Sequence, residues 1–156
     1  MDAPTPDPDA LGGAVADALG TLLKRSHRTG LYRQLTEGLG EAVDEVTYPV
    51  LSGLARTGPV AAAELGPEIG LDRSGVSRRA SRLEAAGLLR RRPDPADQRA
   101  VLLELTDRGA ETVRVMRARL AARVADSLSG WPPEEAEAFA RGLARFVAEG
   151  PFTAGG

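Results

Sequence analysis

The sequence predicts a mainly α chain with a single small β-hairpin. Two observations carry that reading. Apolar residues recur at intervals of three and four through most of the chain, and the apolar stock is Leu, Val and Ala, with aromatics only 4% of residues; both suit helices. The exception is a pair of short apolar runs, Leu88-Leu89 and Val101–Leu105, separated by a polar, arginine- and proline-bearing segment from Arg90 to Arg99. That pattern predicts two strands joined by a charged tip.

Taken in order, residues 1–9 hold three prolines and three aspartates and predict a disordered arm. Leu11, Val15, Leu19, Leu22 and Leu23 then trace an amphipathic helix running to the Gly30 region. Gly12, Gly13 and Gly20 weaken it by up to about 1 kcal/mol each, so it needs packing from elsewhere. Leu31, Leu35 and Leu39 continue the stripe, which resumes or bends near Gly30. Asp44 reads as the cap of a second helix holding Val46, Val50, Leu51 and Leu54. Pro49 would lie inside it, so the helix either starts later, near Thr47, or bends there. Gly58-Pro59 ends it.

Ala61, Ala62, Leu65 and Ile69 make a short helix stopped by Gly70. Asp72 caps the next one by accepting from free N–H groups of its first turn. Val76, Ala80 and Leu83 share one face of that helix, while Arg73, Ser74, Ser77, Arg78, Ser81 and Arg82 fall mostly on the others. Gly87 stops it. Beyond the hairpin, Thr106 caps a long helix with Ala110, Val113, Met116, Leu120, Val124 and Leu128 on one stripe. About 23 residues make a rod of roughly 34 Å. Gly130 ends it. Pro132-Pro133 opens a last helix, with Glu134 and Glu135 at the positive end of its dipole and Phe139, Leu143, Phe146 and Val147 as its stripe. A featureless tail, 151–156, follows Gly150.

Composition narrows the chemistry. The 156 residues suffice for one domain, or one domain with a helical extension. There is no cysteine, hence no disulfide or thiolate site, and the lone His27 rules out a histidine cluster, so no metal is expected. No apolar run nears the roughly 20 residues of a membrane span. The acidic, proline-rich start is unlike a signal peptide, so the cytoplasm is expected. No nucleophile–base pair or phosphate-binding glycine loop is visible, and no enzyme or cofactor is expected. The net charge is −2, yet from Asp72 to Arg99 eight arginines face four acids. That segment carries +4 and leaves −6 for the remainder. A basic patch on an acidic body is a footprint for polyanions.

At this point a family pattern is present in fixed register. Leu83-Glu84-Ala85-Ala86-Gly87-Leu88, Arg91, Asp97-Gln98-Arg99 and Leu105-Thr106-Asp107-Arg108-Gly109 resemble the winged helix-turn-helix of the MarR-type transcriptional regulators. The resemblance extends more weakly from about Leu11 to Val147. It implies a winged helix-turn-helix DNA-binding domain at 41–105. A helical dimerisation region, 10–40 and 106–150, would surround it. The apolar stripes agree, since they exceed what one small winged domain can cover.

The recognition helix, 72–86, would enter the major groove and the wing, 90–100, the minor groove of a pseudo-palindromic operator. Arg78 is the first choice for a base contact, because a guanidinium matches O6 and N7 of guanine bidentately. Ser74 and Ser77 can bond to bases or phosphates, Gly75 permits close backbone approach, and Arg73 and Arg82 reach phosphates. Arg79, nearest the buried face, reads as structural. The resemblance assigns Arg99 to the minor groove and Asp97 to holding the wing in shape, and leaves Arg91 as a structural or phosphate partner. Gln98 stands where many relatives carry a second basic residue. The resemblance also implies an effector site for a small aromatic or lipophilic molecule, for which His27, Arg28, Tyr32 and Tyr48 are the candidates. The expected function is a ligand-responsive, homodimeric repressor. The competing reading is a winged-helix protein-interaction module without DNA binding, whose recognition helix would be acidic or apolar.

Overall fold

The computed structural model describes residues 7–151. In chain order these form α1 (Pro8–Leu22), α2 (Arg25–Thr36), α3 (Tyr48–Thr57), β1 (Val60–Ala61), α4 (Ala62–Ile69), α5 (Arg73–Ala85), β2 (Leu89–Pro93), β3 (Val101–Leu105), α6 (Asp107–Leu128) and α7 (Pro133–Glu149). The chain divides into two compact units between Arg117 and Ala118, within α6.

The first unit is built on an antiparallel sheet of order β1-β3-β2, with Leu89 opposite Leu105 and both Val60 and Arg91 opposite Leu103. The hairpin is as expected, but β1 is an addition. Two residues are too few to show an alternation, and Ala61 reads from sequence as the start of a helix rather than the end of a strand. Leu51 and Leu54 of α3, Leu65 of α4 and Val76, Ala80 and Leu83 of α5 are buried with Leu89 and Leu103 of the sheet. Leu35 of α2 and Val113 and Met116 of α6 are also buried.

Three local devices fix α5, the expected recognition helix. Asp72 Oδ1 accepts from the Gly75 N–H at 2.6 Å, as the cap requires. At the other end Gly87 takes a φ of +73°, and the N–H groups of Leu88 and Gly87 donate to the carbonyls of Leu83 and Glu84. That left-handed glycine closure turns the chain straight into β2. The third device ties α6 beneath the same turn: Thr106 donates through Oγ1 to the Gly87 carbonyl at 2.7 Å and accepts from the Gly109 N–H at 3.1 Å. A Cβ on Gly109 would stand 1.9 Å from the Leu88 carbonyl oxygen, so only glycine fits there.

Other boundaries depart from the sequence reading. The first amphipathic stretch is two helices broken at Leu23-Lys24, where Leu23 donates back to Leu19 and Lys24 to Thr21. Gly30 lies inside α2. Neither glycine nor proline marks the break, and the apolar period runs across it, so spacing alone could not reveal it. The expected arm is shorter: Asp7 caps α1 by accepting from the Asp9 N–H, with Pro8 at the first helical position. The rest of the arm, 1–6, and the tail beyond Pro151 lie outside the described residues. Asp44 closes a turn ahead of α3 instead of capping it, accepting from the N–H groups of Val46 and Thr47 at 2.9 Å each. The later start near Thr47 is the one adopted, which puts Pro49 harmlessly in the first turn.

The second unit holds the end of α6 and all of α7. None of its described residues is buried. Trp131 tilts against Phe139 with ring centroids 5.5 Å apart. Val124, Phe139, Leu143 and Val147 remain 44–59% exposed. In the first unit α1 is equally bare, with no buried residue and Leu11 and Leu22 at 52% and 66%.

Candidate nucleic-acid interface

With Val76, Ala80 and Leu83 completely buried, the faces of α5 follow from 100° per residue. Ser74, Arg78, Ser81 and Ala85 lie opposite the core and are exposed. Arg79 and Arg82 form one flank and Ser77 and Glu84 the other. Along the outer face Arg78 donates to Ser74 Oγ at 3.3 Å, and Ser74 Oγ donates to Asp72 Oδ2 at 3.2 Å. The Gly75 N–H and the Ser74 hydroxyl together hold the Asp72 carboxyl below the usual aspartate range. Arg73 is exposed beside the cap. Of the eight arginines from 73 to 99, only Arg73, Arg78 and Arg99 make no ion pair and donate to no backbone carbonyl among the described residues.

Three expected contact residues are occupied by the protein itself. Gly75 is buried, and a Cβ there would lie 2.6 Å from Asp72 Oδ1 and 3.1 Å from an Arg79 nitrogen. Its lack of a side chain makes room for the cap and for the Arg79 guanidinium. Arg82 is paired with Asp44 Oδ2 at 2.7 Å and donates to the Glu41 carbonyl. Burial pushes the Asp44 carboxyl up, but the Thr47 and Val46 N–H groups and Arg82 outweigh it, leaving the group below its ordinary value. Arg91, whose guanidinium is ion-paired with Glu84, also donates to Ser81 Oγ at 3.1 Å and the Ser77 carbonyl at 3.3 Å. Arg79 has the structural place expected of it, donating to the carbonyls of Val46 at 3.0 Å and Gly75 at 2.9 Å. The partner acids Asp44 and Glu84 escaped the sequence reading, because nothing in their spacing from Arg82 or Arg91 marks them as neighbours.

In the wing, Arg90 and Arg92 share Glu104 across the hairpin at 2.8 and 3.2 Å, and Arg90 holds the Glu104 carboxyl below its usual value. The tip is internally bonded. Asp94 Oδ1 accepts from the Ala96 N–H at 2.8 Å and Asp97 Oδ1 from the Arg99 N–H at 3.0 Å. The backbone closes through Asp94 N–H to Ala100 and Ala100 N–H to Asp97. Asp97 therefore pairs with the backbone of Arg99 and leaves its guanidinium at the exposed tip, beside the equally exposed Gln98.

Of the effector candidates, Arg28, Tyr32 and Tyr48 line one crevice of about 310 Å³, together with Ser52, Arg56 and Glu68. Tyr32 and Tyr48 stack with centroids 4.1 Å apart and planes at 23°. Arg56 donates to Ser52 Oγ at 2.8 Å. His27 is exposed and does not line the crevice. Among the described residues no group of His, Asp or Glu is placed to hold a metal ion, and no helix is long and apolar enough to cross a membrane.

A helix capped at Asp72, exposed along Ser74 and Arg78, and followed by a hairpin with an arginine tip defines a winged helix-turn-helix protein. Comparison with known proteins agrees. The profile of the MarR family matches residues 43–100. The HTH-type transcriptional regulator YxaD of Bacillus subtilis is 30% identical over 118 residues, 76% of this chain and 82% of its own length. The transcriptional repressor NicR of Pseudomonas putida is 29% identical over 104 residues, 65% of each. Among solved structures, the regulator PcaV of Streptomyces coelicolor, in complex with its natural ligand, is 28% identical with a TM-score of 0.54, covering 96% of this chain and 99% of its own. The chain belongs to the MarR family of transcriptional regulators.

Proposed function

We propose that this regulator works as a homodimer on a pseudo-palindromic operator in the cytoplasm, with one α5 in the major groove of each half-site and one wing tip in the adjacent minor groove. The observation that carries this reading is the outer face of α5, where Ser74 and Arg78 stand exposed on a rigidly capped helix with Arg73 beside them. In this reading Arg78 reads a base, Ser74 and Ser77 supplement it, Arg73 holds a phosphate and Arg99 enters the minor groove. The exposed apolar residues of α1, of the end of α6 and of α7 support a twofold partner, because apolar helix faces of that kind are seldom left in water. Half-sites about one helical turn apart follow from the twofold axis. Occupying a promoter in this way excludes polymerase, so the regulator represses. Fluorescence anisotropy on duplexes recovered by selection from a random pool tests this. The expected result is a dimer that binds them with steep salt dependence; a monomer without salt-sensitive affinity for any duplex sinks it.

The effector reading rests on the Tyr32–Tyr48 crevice. Two stacked phenol rings beside Arg28 and Arg56 suit a flat aromatic carboxylate, which stacks on one and pairs with the other. The ligand in the PcaV structure supports a ligand-responsive mode for this chain too. A thermal-shift panel of benzoates is the test. Compounds that raise the melting temperature should release DNA, and Tyr48→Ala should abolish both effects. A Tyr48→Ala protein that still responds fully would move the site elsewhere.

A further inference from the structure

The recognition helix is braced on both flanks by charged contacts that do not point at the groove. On the side of the wing, Glu84 of α5 pairs with Arg91 of β2, accepts from the Arg91 backbone N–H at 3.3 Å, and leaves the guanidinium to reach back to Ser77 and Ser81. On the other side, Arg82 is held by Asp44 and the Glu41 carbonyl, and Arg79 by the Val46 carbonyl. Asp44 is itself fixed. Its Oδ1 accepts from two N–H groups while Oδ2 takes Arg82, and the adjoining Thr47 is completely buried with Oγ1 donating to the Ala42 carbonyl at 2.7 Å. The braces converge on a helix that buries Gly75, Val76, Ala80 and Leu83 along one face.

We propose that Glu84 and Asp44 are positioning residues for base reading: they set the roll of α5 and its spacing from the wing, and so determine specificity without touching DNA. The geometry gives the sensitivity. At the helix's outer radius of about 5–6 Å, a roll of ~10° carries an atom by about 1 Å. That takes a hydrogen bond of about 2.9 Å to the edge of usefulness. Contacts to phosphate, made by long flexible side chains to a repeating backbone, tolerate such a shift. Loss of either brace should therefore damage discrimination and spare general affinity.

The test compares the full-length protein with Glu84→Gln and Asp44→Asn on two duplexes at one salt concentration. One is the tightest sequence recovered by selection from a random pool, the other a scrambled duplex of the same composition. Each variant should lower the ratio of the two affinities by about tenfold, the scale of one bidentate base contact. Affinity for the scrambled duplex should not fall, and its salt slope should rise by at most about 1 per half-site as the freed arginine becomes available to phosphate. The reversed pair Glu84→Arg with Arg91→Glu should recover part of the ratio, which a merely lost charge would not allow. An unchanged ratio in either variant overturns the proposal. So does a parallel fall on both duplexes, or a wild-type protein that enriches no sequence.

Discussion

Arg73 and Arg82 have the same side chain on the same helix, yet their surroundings assign them different work. Arg73 stands exposed at the cap, while Arg82 is spent on Asp44 and Glu41. Arg73→Ala is expected to weaken binding to all duplexes alike and to reduce the salt slope by about 1 per half-site. Arg82→Ala should leave the slope nearly intact, since its charge is already compensated. Titrations across salt concentrations check both. Arg78→Ala should cost roughly 1–3 kcal/mol on a selected duplex and relax the preference at one base pair. Equal losses on selected and scrambled duplexes would remove Arg78 from base reading. The Asp44 carboxyl, held below its ordinary value in the fold, contributes stability that is complete above the unfolded-chain value and is lost as the pH falls through the lowered one. Melting curves taken at increasingly acid pH should therefore steepen in their decline for wild type and flatten for Asp44→Asn.

Among the elements, those carrying a chemical punctuation mark were legible. Asp72 and Gly87 delimit α5, Thr106 opens α6, and Pro132-Pro133 opens α7, because each residue supplies something a helix end physically needs. The break at Leu23-Lys24 and the strand β1 were not legible, since one lacks a breaker and the other is shorter than any period. The candidate site divides in the same way. Exposure along Ser74 and Arg78 follows from helical spacing, whereas the ion pairs that withdraw Arg82 and Arg91 cross between elements, Arg82 to the turn before α3 and Arg91 back across the Gly87 turn to Glu84. Their partners exist only once the chain is folded. A single substitution type separates close approach from mere flexibility. Gly109→Ala forces a Cβ against the Leu88 carbonyl and should destabilise severely, while Gly12→Ala meets nothing within 4 Å and should stabilise α1 by up to about 1 kcal/mol. Thermal melts of the two variants should shift in opposite directions.

For the molecule as a whole, burial is uneven. α3, α4, α5 and the sheet supply most of the buried apolar residues, whereas α1 and the second unit bury none. If the bare stripes are covered by a second copy, folding of those helices and assembly are one event. Leu143→Glu is expected to yield monomers on sedimentation, to lower the melting temperature in a concentration-independent way, and to lose operator affinity because a single α5 reads half a site. A variant that stays dimeric with full affinity would put the interface elsewhere. The charge layout acts at the same scale. The +4 segment of α5 and the wing is set against a net −6 over the remainder of the sequence, which limits indiscriminate attraction to polyanions.

The tip between Pro93 and Val101 closes on itself: Asp94 and Asp97 satisfy its backbone, and β2 pairs with β3 beneath it without help from the loop. Such a loop is a cassette. Exchanging 94–100 for the corresponding turn of another regulator would swap the arginine at the tip while leaving the hydrophobic interior undisturbed; if the proposed minor-groove role of Arg99 holds, preference in the narrow groove can be retuned independently of the rest of the protein.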